Sequence, residues 1–335
     1  RLPLSATDAE IEECSADELA YLSGFFDGNG CVNLHKNGTI RLLVGQSVRG
    51  LDVLLRFRRA FGGGIYRLSD GCGRTNPRIS WTITGAAAKQ AALLLARNSL
   101  TKKSQLCLAM NGNVAKERRS LARCQLKEFK AADTVPHNFS ITWQYFCGFF
   151  DAEGYVKVRP DANCIELELW QKHRSILRRL LSFLENEGLD SWRIHHSRNE
   201  SSLLRCSTTD VSKQTLCRLL ANGLSFKGEQ AQIALQLNAS NRGEIREKLF
   251  QLSGQQGRYI RLDSDGMERS AEIKRQRKRI HRCRDEAGLK ALSEKLRRLQ
   301  KEHRLENLQY TCRLMSSDIR RMLNEGASLK PIDHI

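Results

Sequence analysis

Two short segments gather the residues best suited to chemistry. Leu22-Ser-Gly-Phe-Phe-Asp-Gly-Asn-Gly30 and Phe146-Cys-Gly-Phe-Phe-Asp-Ala-Glu-Gly154 share the run Gly-Phe-Phe-Asp, and the offset from Gly24 to Gly148 is 124 residues. Each ends an apolar run on a carboxylate, Asp27 or Asp151, and two positions later stands Asn29 in one copy and Glu153 in the other. Carboxylate oxygen is what a hard cation such as Mg2+ takes. A cation so held can neutralise charge developing on a phosphodiester and generate hydroxide from water. An amide oxygen also coordinates, but it brings no charge.

The elements that must position these residues repeat too. Gln46 follows a β-like run and is matched by Gln171, while Asn98-Ser-Leu-Thr-Lys-Lys-Ser-Gln105 is echoed from Asn222 onward. Landmarks recurring in one order indicate a duplication. In the first copy the periods predict a helix ending near Asp27, strands at about 31–36 and 39–48, and a helix at about 50–61. Strands at about 64–69 and 77–84 and helices near 86–97 and 103–111 follow. The second copy gives the same αββαββα order between about 142 and 238. The expected division is a first repeat over 1–111, a linker over 112–139, a second repeat over 140–239 and a basic helical extension over 240–335. In that extension Leu289, Leu292, Leu296 and Leu299 fall at helical spacing.

Fifty-five Lys and Arg against 37 Asp and Glu give a net charge of +18. That surplus favours a polyanionic partner, because each cation placed on a phosphate releases condensed counterions. No apolar run approaches the roughly 20 residues of a membrane span, and there is no secretory apolar segment, so no membrane partner is expected. The 11 cysteines form no zinc-ligand spacing. Cys107, Cys147 and Cys217 sit in apolar runs and are expected to be small core residues in a reducing compartment. An intracellular location is expected, with a mitochondrial matrix or other organelle favoured and a nucleus also compatible. The chain opens on Arg1 and not Met, which permits a removed organellar presequence.

The paired segments with their followers resemble the LAGLIDADG homing endonucleases in their single-chain, two-motif form, over roughly residues 17–238. The resemblance implies an α+β fold of two pseudo-symmetric αββαββα repeats forming a β-saddle. The motif helices would join through Ser23, Gly24, Cys147 and Gly148. Phe25, Phe26, Phe149 and Phe150 would fill the cores, and Asp27 and Asp151 would be structural. It further implies a metal position at Glu153, with Asn29 at a degraded ligand position. Lys102 and Lys227 would be cations near the reacting phosphate. Gln46 and Gln171 would orient the attacking water, and Gly28 and Ala152 would offer carbonyls. Mg2+ is the implied cofactor if the chain is catalytic; otherwise none is.

In the resemblance the polar faces of the sheets sit in a major groove. Alternation places Asn33, His35, Thr39, Arg41, Arg67, Arg74, Arg78, Ser80 and Thr82 on that face in the first repeat. In the second it places Tyr155, Lys157, Arg159, Arg193, His195, Arg198, Arg205 and Ser207 there. The strand at 163–171 would add Glu166, Glu168 and Trp170; two glutamates oppose phosphate attraction, and an exposed Trp suits stacking on an unpaired base. Lys274, Arg275, Arg277, Lys278 and Arg279 are expected to contact nucleic acid from the extension.

Asn29, the acidic strand and the basic tail favour a repurposed, non-cleaving binder. That would be a structural RNA-binding component of an organellar ribosome or a maturase-like factor, with ribonucleoprotein partners held through the extension. Glu153, Lys102, Lys227, Gln46 and Gln171 support the alternative of a Mg2+-dependent, site-specific DNA endonuclease or nickase. A DNA-binding regulator without chemistry is the third reading.

Overall fold

The computed structural model describes residues 14–69, 78–112, 114–133, 135, 140–196, 201–252, 264–283 and 285–324. They divide into two compact units, one reaching from the N-terminal side to Leu252 and the other comprising mainly Ser253–Ile335.

In the first unit, α1 (Ala16–Asn29) starts where Ser15 Oγ accepts from Glu18 N at 3.1 Å, with Asp17 and Glu18 in its first turn. The cap and the two acids satisfy the positive end of the helix. There follow β1 (Gly30–Leu34), β2 (Ile40–Ser47), α2 (Leu51–Phe61), β3 (Gly64–Ser69), β4 (Arg78–Thr84), α3 (Gly85–Asn98) and α4 (Lys103–Met110). Then α5 (Arg119–Ala131) leads to the second copy: α6 (Trp143–Glu153), β5 (Gly154–Val158), β6 (Ile165–Gln171), α7 (Arg174–Asn186), β7 (Trp192–His196), β8 (Ser202–Cys206), α8 (Thr209–Ala221) and α9 (Gly228–Leu235). Last in this unit is α10 (Arg242–Leu252).

The two antiparallel sheets have matching orders, β1-β2-β4-β3 and β5-β6-β8-β7. Strand alternation turns Val32, Leu42, Val44, Trp81 and Ile83 into the core of the first repeat, and Val156, Leu167, Leu169, Leu204 and Trp192 into that of the second. Helices cover those faces, so each sheet keeps one face free of its own core. Of the cysteines expected inside, Cys147 is buried, but Cys107 and Cys217 are exposed on α4 and α8. An apolar run in an amphipathic helix still has an outward side, and position within the turn decides which residue takes it.

The duplication runs further than the periods indicate. The expected linker contains α5, and the expected extension begins with α10, which lies in the compact unit. The two helices play corresponding parts. Beside β1, Arg123 of α5 donates to His35 O at 3.3 Å. Asp133, just after α5, accepts from Arg174 N at 2.9 Å and Ser175 N at 3.1 Å, at the start of α7 in the other repeat. At the end of α10, the carbonyls of Gln251 and Leu252 accept from Arg49, both at 3.2 Å, in the turn before α2. Each repeat thus fastens a helix end to the other's strand-to-helix turn.

Among the described residues the second unit holds two helices, α11 (Ser264–Arg282) and α12 (Glu286–Asn324), paired in part through Arg269 and Asn307 at 3.4 Å. Arg275, Arg277, Lys278 and Arg279 are exposed on α11, and Arg275 pairs with Glu272 at 2.9 Å. The side chain of Lys274 lies outside the described residues. No described helix is long and apolar enough to cross a membrane.

Candidate active site and nucleic-acid face

The motif helices α1 and α6 cross with their backbones touching. A Cβ on Gly24 would stand 2.1 Å from Tyr145 O, and one on Gly148 would stand 1.9 Å from Tyr21 O. Only glycine permits that approach. Ser23 and Cys147, also expected at the crossing, turn instead into their own repeats. Ser23 Oγ donates to Leu19 O and Leu95 O, and Cys147 Sγ to Leu219 O.

Across the crossing the repeats exchange hydrogen bonds. Tyr21 OH donates to Asp151 and Tyr145 OH to Asp27, each at 2.7 Å and buried. Asp27 also accepts from Ser99 Oγ at 2.5 Å and from the backbone N–H groups of Leu100, Thr101 and Lys102 at 2.5, 3.2 and 3.1 Å. Asp151 takes the N–H groups of Ser225, Phe226 and Lys227 at 2.9, 3.0 and 2.7 Å. With every oxygen engaged, these carboxylates organise the turns before α4 and α9, and both tyrosines are held protonated by burial and by the facing carboxylate.

Those turns deliver Lys102 and Lys227 to the motif-helix ends. Lys102 Nζ donates to Phe26 O and Asp27 O at 2.7 Å and to Gly28 O at 3.2 Å. Lys227 Nζ donates to Phe150 O at 2.9 Å and to Asp151 O. A cation on the last carbonyls of a helix complements its negative end. Burial nevertheless brings both lysines down to about 8, against the pull of Asp27 and Glu153 on Lys102 and of Asp151 and Glu153 on Lys227.

Glu153 therefore sits between two cations. Burial raises its pKa; Lys102, Lys227 and a hydrogen bond from Gln171 oppose that rise. Gln46 is buried at the corresponding place on β2. Asn29 Nδ2 points to Ala152 O at 3.5 Å, so the first motif contributes an amide facing the second motif's backbone. Among the described residues no three His, Cys, Asp or Glu side chains converge as a metal cluster. The donors at the paired helix ends are one carboxylate, one amide and carbonyls partly engaged by Lys102 and Asn29. They fit a single hard cation that completes its shell with phosphate and water oxygens; they do not fit a centre shared by two carboxylates.

Register fixes what the open faces carry. In the first sheet Asn33, Arg41 and Thr84 lie in one row, and Cys31, Leu43 and Thr82 in the next. Arg78 and His35 are exposed, whereas Ser80, expected to be exposed, is buried. Tyr66 pairs with Ser80 and is 59% exposed, while Arg67 pairs with Ile79 on the core-side parity. The expectation for Arg67 thus falls one residue out of phase, and a bulge between Arg67 and Ser69 breaks the alternation locally. Arg74 and Arg198 lie outside the described residues.

In the second sheet Tyr155, Glu168, Arg205 and Arg193 form one row, and Lys157 faces Glu166 in the next. Lys157 Nζ lies 3.0 Å from Glu166 and 2.6 Å from Glu168, and Arg159 pairs with exposed Asp161 at 2.8 Å. Trp170 is 44% exposed and donates to Glu168 at 3.3 Å. Much of this sheet's positive charge is therefore neutralised internally. Arg41 and Arg78 have no carboxylate partner among the described residues of the first sheet.

Residues 143–217 match the LAGLIDADG-like domain family. That span opens at the second motif helix and ends within α8. Comparison with curated proteins found no match. Among solved structures, the LAGLIDADG homing endonuclease I-GzeII in complex with a DNA target aligns at 14% identity and a TM-score of 0.49, over 69% of this chain and 96% of its own. The LAGLIDADG meganuclease I-AabMI bound to uncleaved DNA aligns at 14% identity and 0.47, over 64% and 88%. The I-LtrWI LAGLIDADG homing endonuclease bound to target DNA aligns at 11% and 0.47, over 70% and 94%.

Two features of this centre are not among the residues expected from the sequence: the tyrosines that bridge the repeats, and Lys130, which reaches Asn33 Oδ1 and Cys31 Sγ on β1. Tyr21 and Tyr145 share the 124-residue offset of the motifs, a signal that was available in the sequence. Lys130 carries no such signal.

Proposed function

We propose that this chain is a nucleic-acid-binding protein of the homing-endonuclease type, taking a DNA duplex against its two sheets, with phosphodiester cleavage confined to one strand. The observation that carries this reading is Glu153, a lone carboxylate flanked by Lys102, Lys227 and Gln171, opposite the uncharged Asn29. A bound divalent cation would supply Lewis acidity and a low-pKa water, and Glu153 is the residue to hold it. The chain's own part is to fix the centre: Lys102 and Lys227 lock the ends of α1 and α6, and Gln171 orients the Glu153 carboxylate. The cation's remaining charge balance must come from the bound phosphates. The net charge of +18 and the DNA complexes of the similar structures are consistent with a duplex ligand.

The test is a supercoiled-plasmid library incubated with Mg2+, followed by mapping of cut strands. The expected products are site-specific nicks, absent for Glu153→Gln and converted to double-strand breaks by Asn29→Asp. Paired breaks by the wild-type chain would sink the one-strand reading, and nicks surviving Glu153→Gln would displace the centre.

Exposed Trp170 favours one second reading, a non-cleaving RNA-binding protein, because an indole on an open sheet can stack an unpaired base. Tighter binding of single-stranded RNA than of duplex, lost in Trp170→Ala, would select it.

A further inference from the structure

Helix α5, between the repeats, carries a line of cations that the centre described above does not use. From Lys116 to Ala131 there are six Lys or Arg and two Glu. Arg119, Arg123, Lys127 and Lys130 fall at spacings of four, four and three, so they line one side of the helix. Buried Ala122 and Leu126 anchor the helix and leave that line outward.

The line follows β1 strand-wise toward the motif-helix ends. Arg119 donates to Val114 O at 3.1 Å and Lys36 O at 3.5 Å, and Arg123 donates to His35 O at 3.3 Å. Lys130 reaches Asn33 Oδ1 at 3.4 Å and Cys31 Sγ at 3.7 Å, both on the open face of the first sheet. It is also close enough to Lys102 for its charge to depress that lysine's pKa. Every bonded acceptor along the line is neutral, and Lys127 is exposed. From Arg119 to Lys130 the line spans about 16 Å at the helical rise of 1.5 Å per residue.

The corresponding helix in the other repeat differs. Over α10 there are three Lys or Arg and two Glu, and Lys248 pairs with Glu244 at 2.6 Å. The adjacent strands differ in the same sense, since Lys157 is consumed by Glu166 and Glu168 while Arg41 has no carboxylate partner among the described residues. Among the described residues, cations bonded only to neutral acceptors thus form a continuous line on the α5 flank, whereas on the α10 flank Lys248 and on the adjacent strand Lys157 are paired with carboxylates. Ordinary solubility gives no reason to hold cations in register with a strand and aim them at a phosphodiester centre.

We infer that α5 is a phosphate rail: Arg119, Arg123, Lys127 and Lys130 take successive backbone phosphates of a nucleic-acid duplex and lead one strand toward Glu153. The inference rests on the duplex-binding reading above. It adds an element outside the two sheets, and it makes the two flanks unequal in charge contribution. Contacts to phosphate position a polymer without reading its sequence.

The experiment measures duplex affinity by fluorescence anisotropy across a salt series, using the full chain and two unrelated duplex sequences. Each phosphate contact contributes about 0.9 to the slope of log K against log salt. The double variant Arg123→Gln/Lys127→Gln should lower that slope by about 2 on both duplexes alike, with circular dichroism unchanged. Lys248→Gln on α10 should leave it within about 0.3. Duplex binding with an unaltered slope in the double variant overturns the rail and leaves the duplex reading standing. Failure of the wild-type chain to bind any duplex, including the case where it binds only phosphatidylserine vesicles, overturns both. Lys127→Glu, a single exposed change, checks the result by lowering affinity further than Lys127→Gln.

Discussion

Replacing Gly148 with alanine should separate the two halves of the first unit. The new Cβ would stand 1.9 Å from Tyr21 O, with Phe25 N and Tyr21 C both at 2.8 Å. All three neighbours are backbone, so no side chain can swing away. Ordinary contact near 3.4 Å requires the helices to part by about 1.5 Å. The exchanged Tyr21–Asp151 and Tyr145–Asp27 bonds, each 2.7 Å, would then stretch to about 4 Å and cease to be hydrogen bonds. Buried bonds to a charged acceptor are worth about 1.5–3 kcal/mol each, so their joint loss costs about 3–6 kcal/mol. That is a large share of a typical stability of about 5–15 kcal/mol. Equilibrium unfolding in urea, followed by tryptophan fluorescence, measures the loss. Gly243→Ala on α10, where a Cβ meets nothing within 4 Å, supplies the control and should stabilise by up to about 1 kcal/mol. If Gly148→Ala lay within about 1 kcal/mol of wild type, the close crossing and the bonds said to depend on it would be refuted. Adding Tyr145→Phe to Gly148→Ala should cost almost nothing more, because the bond is already broken.

Other outcomes follow from the same geometry. Tyr145→Phe alone should cost about 1–2 kcal/mol, at the low end for a buried charged bond because Asp27 keeps four other donors; urea midpoints of the single variant check this. Lys227, brought by burial from 10.5 to about 8, should tie stability to pH. Between pH 8 and 10.5 the unfolded chain holds a proton that the folded chain has released, so this contribution grows as pH rises and is lost as pH falls through 8. Over that window it amounts to about 3 kcal/mol. The stability difference between wild type and Lys227→Met, measured from pH 7 to 10.5, should show that slope; a flat difference would remove Lys227 from its buried place. Lys157→Met should leave Glu166 and Glu168 facing each other without their shared cation, costing about 2–4 kcal/mol, and the triple change to Met, Gln and Gln should recover most of it.

Much of the architecture was determined by the sequence alone. The Gly-Phe-Phe-Asp pair and its 124-residue offset establish a duplication, and strand alternation gives the open face of the second sheet, including Glu166, Glu168 and Trp170, in correct phase. These features are local: a period of two or of 3.6 assigns a face wherever one side of an element is buried. Asn29 opposite Glu153 is likewise a fact of residue type at matched positions. The tertiary structure alone decided what those faces meet. It turned Ser23 and Cys147 away from the crossing, paired Arg67 with Ile79 on the core-side parity, and spent Lys157 on two glutamates. It also made the apparent linker and the start of the apparent tail into corresponding helices that tie each repeat to the other. None of this has a period, because each contact joins residues far apart in the chain, and partner identity at such distances is set by packing of whole elements. Asp27 and Asp151 make the point most plainly. The resemblance implies that they are structural, but only the crossing of α1 and α6 brings each against the other repeat's tyrosine.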